Sequence, residues 1–208
     1  MQEYLEQGGL FIWPIIIVSL WAFTLVIERV LFFKSNTSKF QSSSKKYFEY
    51  LKQNGMESTY KMLQSEKGLV AEILKEAWDP AHKSLSTSER GIEEVLHQNQ
   101  PQLEKHINTI ATLASIEPLL GLLGTITGMI AVFTVIMKEG GMVDSSSLAG
   151  GISEAMITTQ AGLVAAVPIL LCHNFIRNKF KSVMAVLQAI CARSLKELER
   201  HGAQNGPQ

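Results

Sequence analysis

Three uninterrupted apolar runs divide the chain: Leu10–Ile27, Pro118–Met137 and Ala155–Ile176, of 18, 20 and 22 residues, none containing Asp, Glu, Lys or Arg. A helix of about 20 residues crosses the ~30 Å hydrocarbon core of a bilayer, so each run reads as a transmembrane helix. Between and after them the pattern changes. The Ser-rich stretch SNTSKFQSSS at 35–44 reads as a linker, and short helical patterns then alternate with breaks at Asn54-Gly55 and Gly68. Leu69, Ile73, Leu74 and Ala77 share one helical face that Asp79-Pro80 ends. Ser86-Thr87-Ser88-Glu89 has capping-box spacing, with Ser86 as N-cap and Glu89 three residues on. The helix it opens is expected to run through Ile92, Val95, Leu96, Leu103, Ile107 and Ile110 into the second apolar run, kinked but not stopped by Pro101 and Pro118.

Beyond the third run, Val183, Val186, Leu187, Ile190 and Leu195 recur at helical spacing, which predicts a tail helix packing on the 86–110 helix. The segment 45–110 has many charges and few large apolar residues. It reads as an extension of the membrane helices and not as an independent globule. The predicted fold is all-α, a polytopic membrane protein with three transmembrane helices, the second and third extended as long helices. Its expected layout is an N-terminal segment 1–9, spans at 10–33, 111–137 and 152–176, an inner helical segment 34–110, an outer loop 138–151, and an inner helix and tail 177–208.

Charge orients this layout. Of 19 Lys and Arg, eleven lie between Lys34 and Lys105, six follow the third run, Arg29 ends the first, and Lys138 alone falls in the loop after the second. The basic side is cytoplasmic by the positive-inside rule, leaving the N-terminus and the 138–151 loop outside. The leading MQEYLEQGG has no Lys or Arg and no small-residue cleavage pattern follows the first run, so the run is expected to be a retained anchor. Cys172 and Cys191 fall on the reducing side and are expected to be thiols.

Several function classes drop out. No basic cluster with interleaved aromatics points to nucleic acid, and GLLGTITG at 121–128 lies inside an apolar run, where it cannot be a phosphate loop between strand and helix. His82, His97, His106, His173 and His201 have no Cys, Asp or Glu at ligand spacing. No metal, cofactor or enzymatic activity is expected.

The remaining chemistry lies in the second and third runs. Gly121, Thr125, Gly128 and Val132 share a helical face with Gly124 beside them, and Ala155, Thr159, Gly162 and Ala166 repeat at 4-3-4 spacing. Small residues let helices touch, and the Thr hydroxyls can bond their own i−4 carbonyls; that reading makes the stripes packing surfaces alone. Glu154 and Thr158, one turn apart, add a polar track, and a carboxylate at a span faces protein or water and not lipid. Glu154 equally suits a cap at a helix N-terminus. Glu117, before Pro118, stands at the inner end of the second run, as an acid on a hydrated route or as an interfacial residue. The candidate ion pathway is therefore Thr125, Thr159, Glu154, Thr158 and Glu117, framed by the packing residues Gly121, Gly124, Gly128, Ala155, Gly162 and Ala166.

GGLFIWPIIIVSLWAFTLVIERVLFF, PLLGLLGTITGMIAVF and GISEAMITTQAGLVAAVPILL, in this order and spacing, resemble the membrane helices of the MotA/TolQ/ExbB proton-channel family. The TolQ/ExbB branch fits better than the four-span MotA type. The resemblance implies a homopentamer in the lipid of the cell inner membrane, N-terminus periplasmic and C-terminus cytoplasmic. Its pore would house the helices of an ExbD/TolR-like single-span protein dimer, whose membrane Asp carries protons. A TonB/TolA-like periplasm-spanning protein would pass on the work. Thr125, Thr159 and Glu154 match the family positions that line or border the ion route. Relatives commonly have Ala-Pro before the glycine motif; here Glu117-Pro118 adds a carboxylate at the inner mouth or changes ion preference. Against this proton-driven motor stands a structural scaffold that clamps partner helices without conducting ions. A small-solute transporter fits less well, for want of broken half-helices or internal symmetry.

Overall fold

The computed structural model describes residues 10–82, 84–138 and 145–204. The elements among them are helices: α1 (Ile12–Ser65), α2 (Leu69–Ala77), α3 (Leu85–Glu104), α4 (Ile107–Lys138) and α5 (Ser145–Gln204). Three stretches, Ile12–Ser65, Leu85–Lys138 and Leu148–His201, are long and apolar enough to cross a membrane. The expected all-α fold with three potential spans is the fold observed.

Two compact units divide the chain. One is drawn from the chain up to Val30 and from His106–Ile176, the other from Leu31–Lys105 and from Arg177 onward. In the first, α1 turns Ile12, Ile15, Ala22, Leu25 and Val26 inward at helical spacing, and α4 and α5 bury Ile110, Ala114, Ala155, Ala166, Ile169 and Ile176. The outward faces are also apolar, with Trp13, Ile17, Leu20, Ile130, Val164 and Leu171 more than half exposed. Helices hydrophobic all round belong in lipid or against further helices.

The second unit corrects four sequence expectations. The Ser-rich stretch 35–44 is not a linker but part of α1. Neither Gly nor Pro occurs between Pro14 and Gly55, and the polar side chains fold back on their own helix: Thr37 Oγ1 donates to Phe33 O at 2.7 Å and Ser44 Oγ to Gln41 O at 3.0 Å. The chain turns instead at the expected Gly55, whose φ of 76° and ψ of 175° suit only glycine.

The N-cap of α3 is Ser84, not Ser86. Its Oγ accepts from the Thr87 N–H, and Thr87 Oγ1 lies 2.8 Å from it, so Thr87 takes the place that Glu89 was expected to fill. Nor does α3 run into α4. Both prolines sit inside helices, and the break falls at Lys105 and at His106, whose φ of 63° lies in the left-handed region that His visits more readily than bulky residues.

Finally, segment 45–110 is not merely an extension of the membrane helices. Tyr47, Phe48, Leu51, Leu63, Ile73, Leu74 and Trp78 are buried together with Leu187 and Ile190 of α5 in a unit of their own. Trp78 packs edge-on to Phe48 at 5.8 Å and donates its Nε1–H to Ser194 O at 3.2 Å, while the Arg193 guanidinium sits 4.0 Å over the Phe48 ring. This core was hidden because its members come from four segments, each with only a few large apolar residues. Residues 89–100 of α3 and 184–195 of α5 line a common groove, so the tail does lie beside that helix.

Candidate functional site

The seam between α4 and α5 is made by absent side chains. A Cβ on Gly121 would stand 3.0 Å from Thr159 Cα, one on Gly128 2.9 Å from Ala155 Cβ, and one on Gly162 2.6 Å from Glu117 O and 3.2 Å from Gly121 Cα. A Cβ on Gly124 would run into the Thr158 methyl. Ala155 and Ala166 are buried in the same unit. Close backbone approach of this kind is how small residues join helices where no hydrophobic drive separates lipid from protein.

That approach brings hydroxyls together. Thr159 Oγ1 donates across the seam to Gly121 O at 2.8 Å and stands 3.4 Å from Thr125 Oγ1, while Thr125 Oγ1 donates to Leu122 O at 2.7 Å. Both hydroxyl protons are thus committed to carbonyls. What the pair offers from its half-buried position is lone pairs. A site of that kind accepts hydrogen bonds from water or from a protonated acid; a carboxylate finds no donor there.

The five candidate pathway residues do not form one cluster. Thr158 is buried and donates to Glu154 O at 3.0 Å, in the i−4 pattern. Glu154 is exposed and, with Thr158, lines a cavity of about 350 Å³ whose other walls include Leu10, Phe11, Gly124 and Val132. Thr125 and Thr159 form the separate seam pair, outside that lining. Glu117, two turns before Thr125 on α4, is fully buried, and its carboxyl lies beside Ser19 of α1. Among the described residues no three His, Cys, Asp or Glu come together as a metal site.

Sequence reasoning missed Ser19, although a hydroxyl inside an apolar run was the available signal. It also missed a polar junction at the end of the first run. Buried Arg29 lies 3.3 Å from Glu28 Oε1, and Glu28 Oε2 lies 3.7 Å from His106 Nε2. No pattern pointed to His106, because its placement depends on the backbone turn at its own position.

Comparison with known proteins agrees with this architecture. The model of the family described as MotA/TolQ/ExbB proton channel matches residues 61–189. A Synechocystis protein named biopolymer transport protein ExbB-like 3 is 28% identical over 182 residues, covering 87% of each chain. The biopolymer transport protein exbB1 of Vibrio cholerae is 30% identical over 176 residues, 81% of this chain and 75% of its own. The biopolymer transport protein ExbB of Aquifex aeolicus is 34% identical over 93 residues, 45% of this chain and 62% of its own.

Proposed function

The chain belongs to the MotA/TolQ/ExbB proton channel family, and from that premise we propose that it is the ring-forming subunit of a proton-driven motor that energises biopolymer transport. In this reading five copies surround the membrane helices of an ExbD/TolR-like single-span dimer in the inner membrane. The N-terminus is periplasmic and the C-terminus cytoplasmic. A TonB/TolA-like protein carries the work onward.

The observation that carries the reading is the Thr125–Thr159 pair. Its two donated protons leave acceptors between otherwise apolar helix faces. A partner carboxyl in its protonated form can donate to them; once ionised it cannot, and it is released towards water. The step distinguishes the two protonation states by geometry, since one membrane hydrogen bond contributes only about 0.6–1.7 kcal/mol. The work comes from the gradient, at about 2.3 kcal/mol per proton per 100 mV. Glu154 and Thr158, on the cavity, supply the polar surface on the outer side of that step.

The test is proton flux into vesicles holding this chain and its single-span partner. Thr159→Val keeps the shape and removes the hydroxyl; it should lose most of the flux while assembly persists, and Thr159→Ser should restore it. Full flux through Thr159→Val would overturn the route. An assembled complex with no flux in the wild type would favour the scaffold that clamps helices without conducting.

A further inference from the structure

Glu117 is 0% exposed within a single chain, and among the described residues neither of its carboxylate oxygens has a hydrogen-bond partner. Among the described residues, the stretches of α1, α4 and α5 that enclose it contain no Lys or Arg to balance a charge. Leu10–Ile27 of α1 carries no charged residue, Glu117 is the only one in 107–137 of α4, and Ala155–Ile176 of α5 contains only Cys172 and His173 as titratable groups, ten and eleven residues beyond Gly162. The nearest charges in sequence, Glu28 and Arg29 on α1, lie nine and ten residues past Ser19, or about 14–15 Å along a helix.

The polar side chain beside it is Ser19. Ser19 Oγ, beside the carboxyl, donates to Ile15 O at 2.7 Å, and with its proton so used it can serve as an acceptor. Pro118 has no N–H, so the Ala114 carbonyl, one turn back from Glu117 and equally buried, loses its usual helix donor. An ionised carboxylate needs donors; a protonated carboxyl needs an acceptor for its O–H.

We propose that Glu117 is a proton-binding site, a carboxylic acid held neutral in the packed seam of α1, α4 and α5, storing one proton per chain apart from the threonine pair. A sodium ion is the poorer ligand. Hard cations gather about six oxygens, whereas the side-chain oxygen beside this carboxyl is Ser19 Oγ. Because the Glu117 side chain is fully buried among the helices, release of the stored proton requires their packing to open. Glu117 holds this proton in the chain alone, with no need of the motor's partner or of a gradient.

The experiment is infrared spectroscopy of the full-length chain in lipid vesicles at neutral pH. A protonated-carboxyl C=O band is expected, slow to shift in D2O, absent in Glu117→Gln and retained in Glu154→Gln. Glu117→Gln imitates the neutral acid and should melt at the wild-type temperature. Should that variant fail to fold, ¹³C labelling of Glu side chains assigns the band in the wild type. A labelled sample with only carboxylate bands, or a band that survives Glu117→Gln, overturns the proposal. So does a melting temperature that rises with sodium but not potassium chloride and ceases to do so in Glu117→Gln.

Discussion

Gly162→Ala adds one methyl where α5 meets the backbone of α4, and the new Cβ would lie 2.6 Å from Glu117 O and 3.2 Å from Gly121 Cα. Both are backbone atoms of a helix and cannot swing aside. Moving from 2.6 Å to the 3.4 Å of ordinary contact requires a shift of about 0.8 Å between the helices. The same shift would stretch the Thr159 Oγ1–Gly121 O bond from 2.8 Å to about 3.6 Å, beyond hydrogen-bond range. Overpacking costs about 1–3 kcal/mol and the lost bond about 0.6–1.7 kcal/mol. Replacing Gly by Ala in a helix returns up to about 1 kcal/mol, leaving a net loss of roughly 1–3 kcal/mol. At about 2–4 °C per kcal/mol for a chain of this size, the melting temperature should fall by several degrees. Gly150→Ala is the control, because nothing lies within 4 Å of its new Cβ; it should be neutral or slightly stabilising. Thermal unfolding of both variants in one lipid or detergent decides. If Gly162→Ala is as stable as Gly150→Ala, the seam is looser than described and the placement of Thr159 loses its cause.

Gly55→Ala meets no atom within 4 Å yet places a side chain at φ 76°, so it should cost about 1–3 kcal/mol through backbone strain alone, read as a lower unfolding midpoint. Trp78→Phe keeps the packing on Phe48 but removes the donor to Ser194 O; a loss of about 0.5–1.5 kcal/mol by the same measurement is expected. Burial pushes the Cys191 thiol up to about 11. Native Cys191 should therefore alkylate far more slowly at neutral pH than after unfolding. Because the raised value disfavours ionisation only in the folded state, this contribution to stability is complete below the ordinary thiol value of about 9 and is lost as pH rises towards 11. Equal alkylation rates in the folded and unfolded chain would contradict that burial.

The membrane part of the fold was legible because its signals are strong and local. Charge-free runs mark the spans, and glycines at 121, 124, 128 and 162 mark where helices approach. What escaped depends on contacts between distant segments. Serines at 42 and 44 that suggest a linker are absorbed by their own helix once no glycine or proline interrupts it. The cap moved from Ser86 to Ser84 because either serine fits the local pattern and only the path of the chain chooses between them. Thr125 and Thr159 were recognisable as a pair of faces; that Thr159 donates across to Gly121 O while Thr158 turns back to Glu154 O was not. Adjacent threonines look alike in sequence; both meet glycines of α4, Thr158 at Gly124 and Thr159 at Gly121, and only the packed geometry sends one hydroxyl across and the other back.

The account rests on the hydroxyl pair facing a shared interior. Its most direct test is an electron cryomicroscopy map of the chain assembled with its single-span partner in lipid. Thr125 and Thr159 should border the partner's helices, with the acidic partner side chain within hydrogen-bond reach of them. A map in which both threonines face acyl chains, and leucines close the interior, would contradict the account.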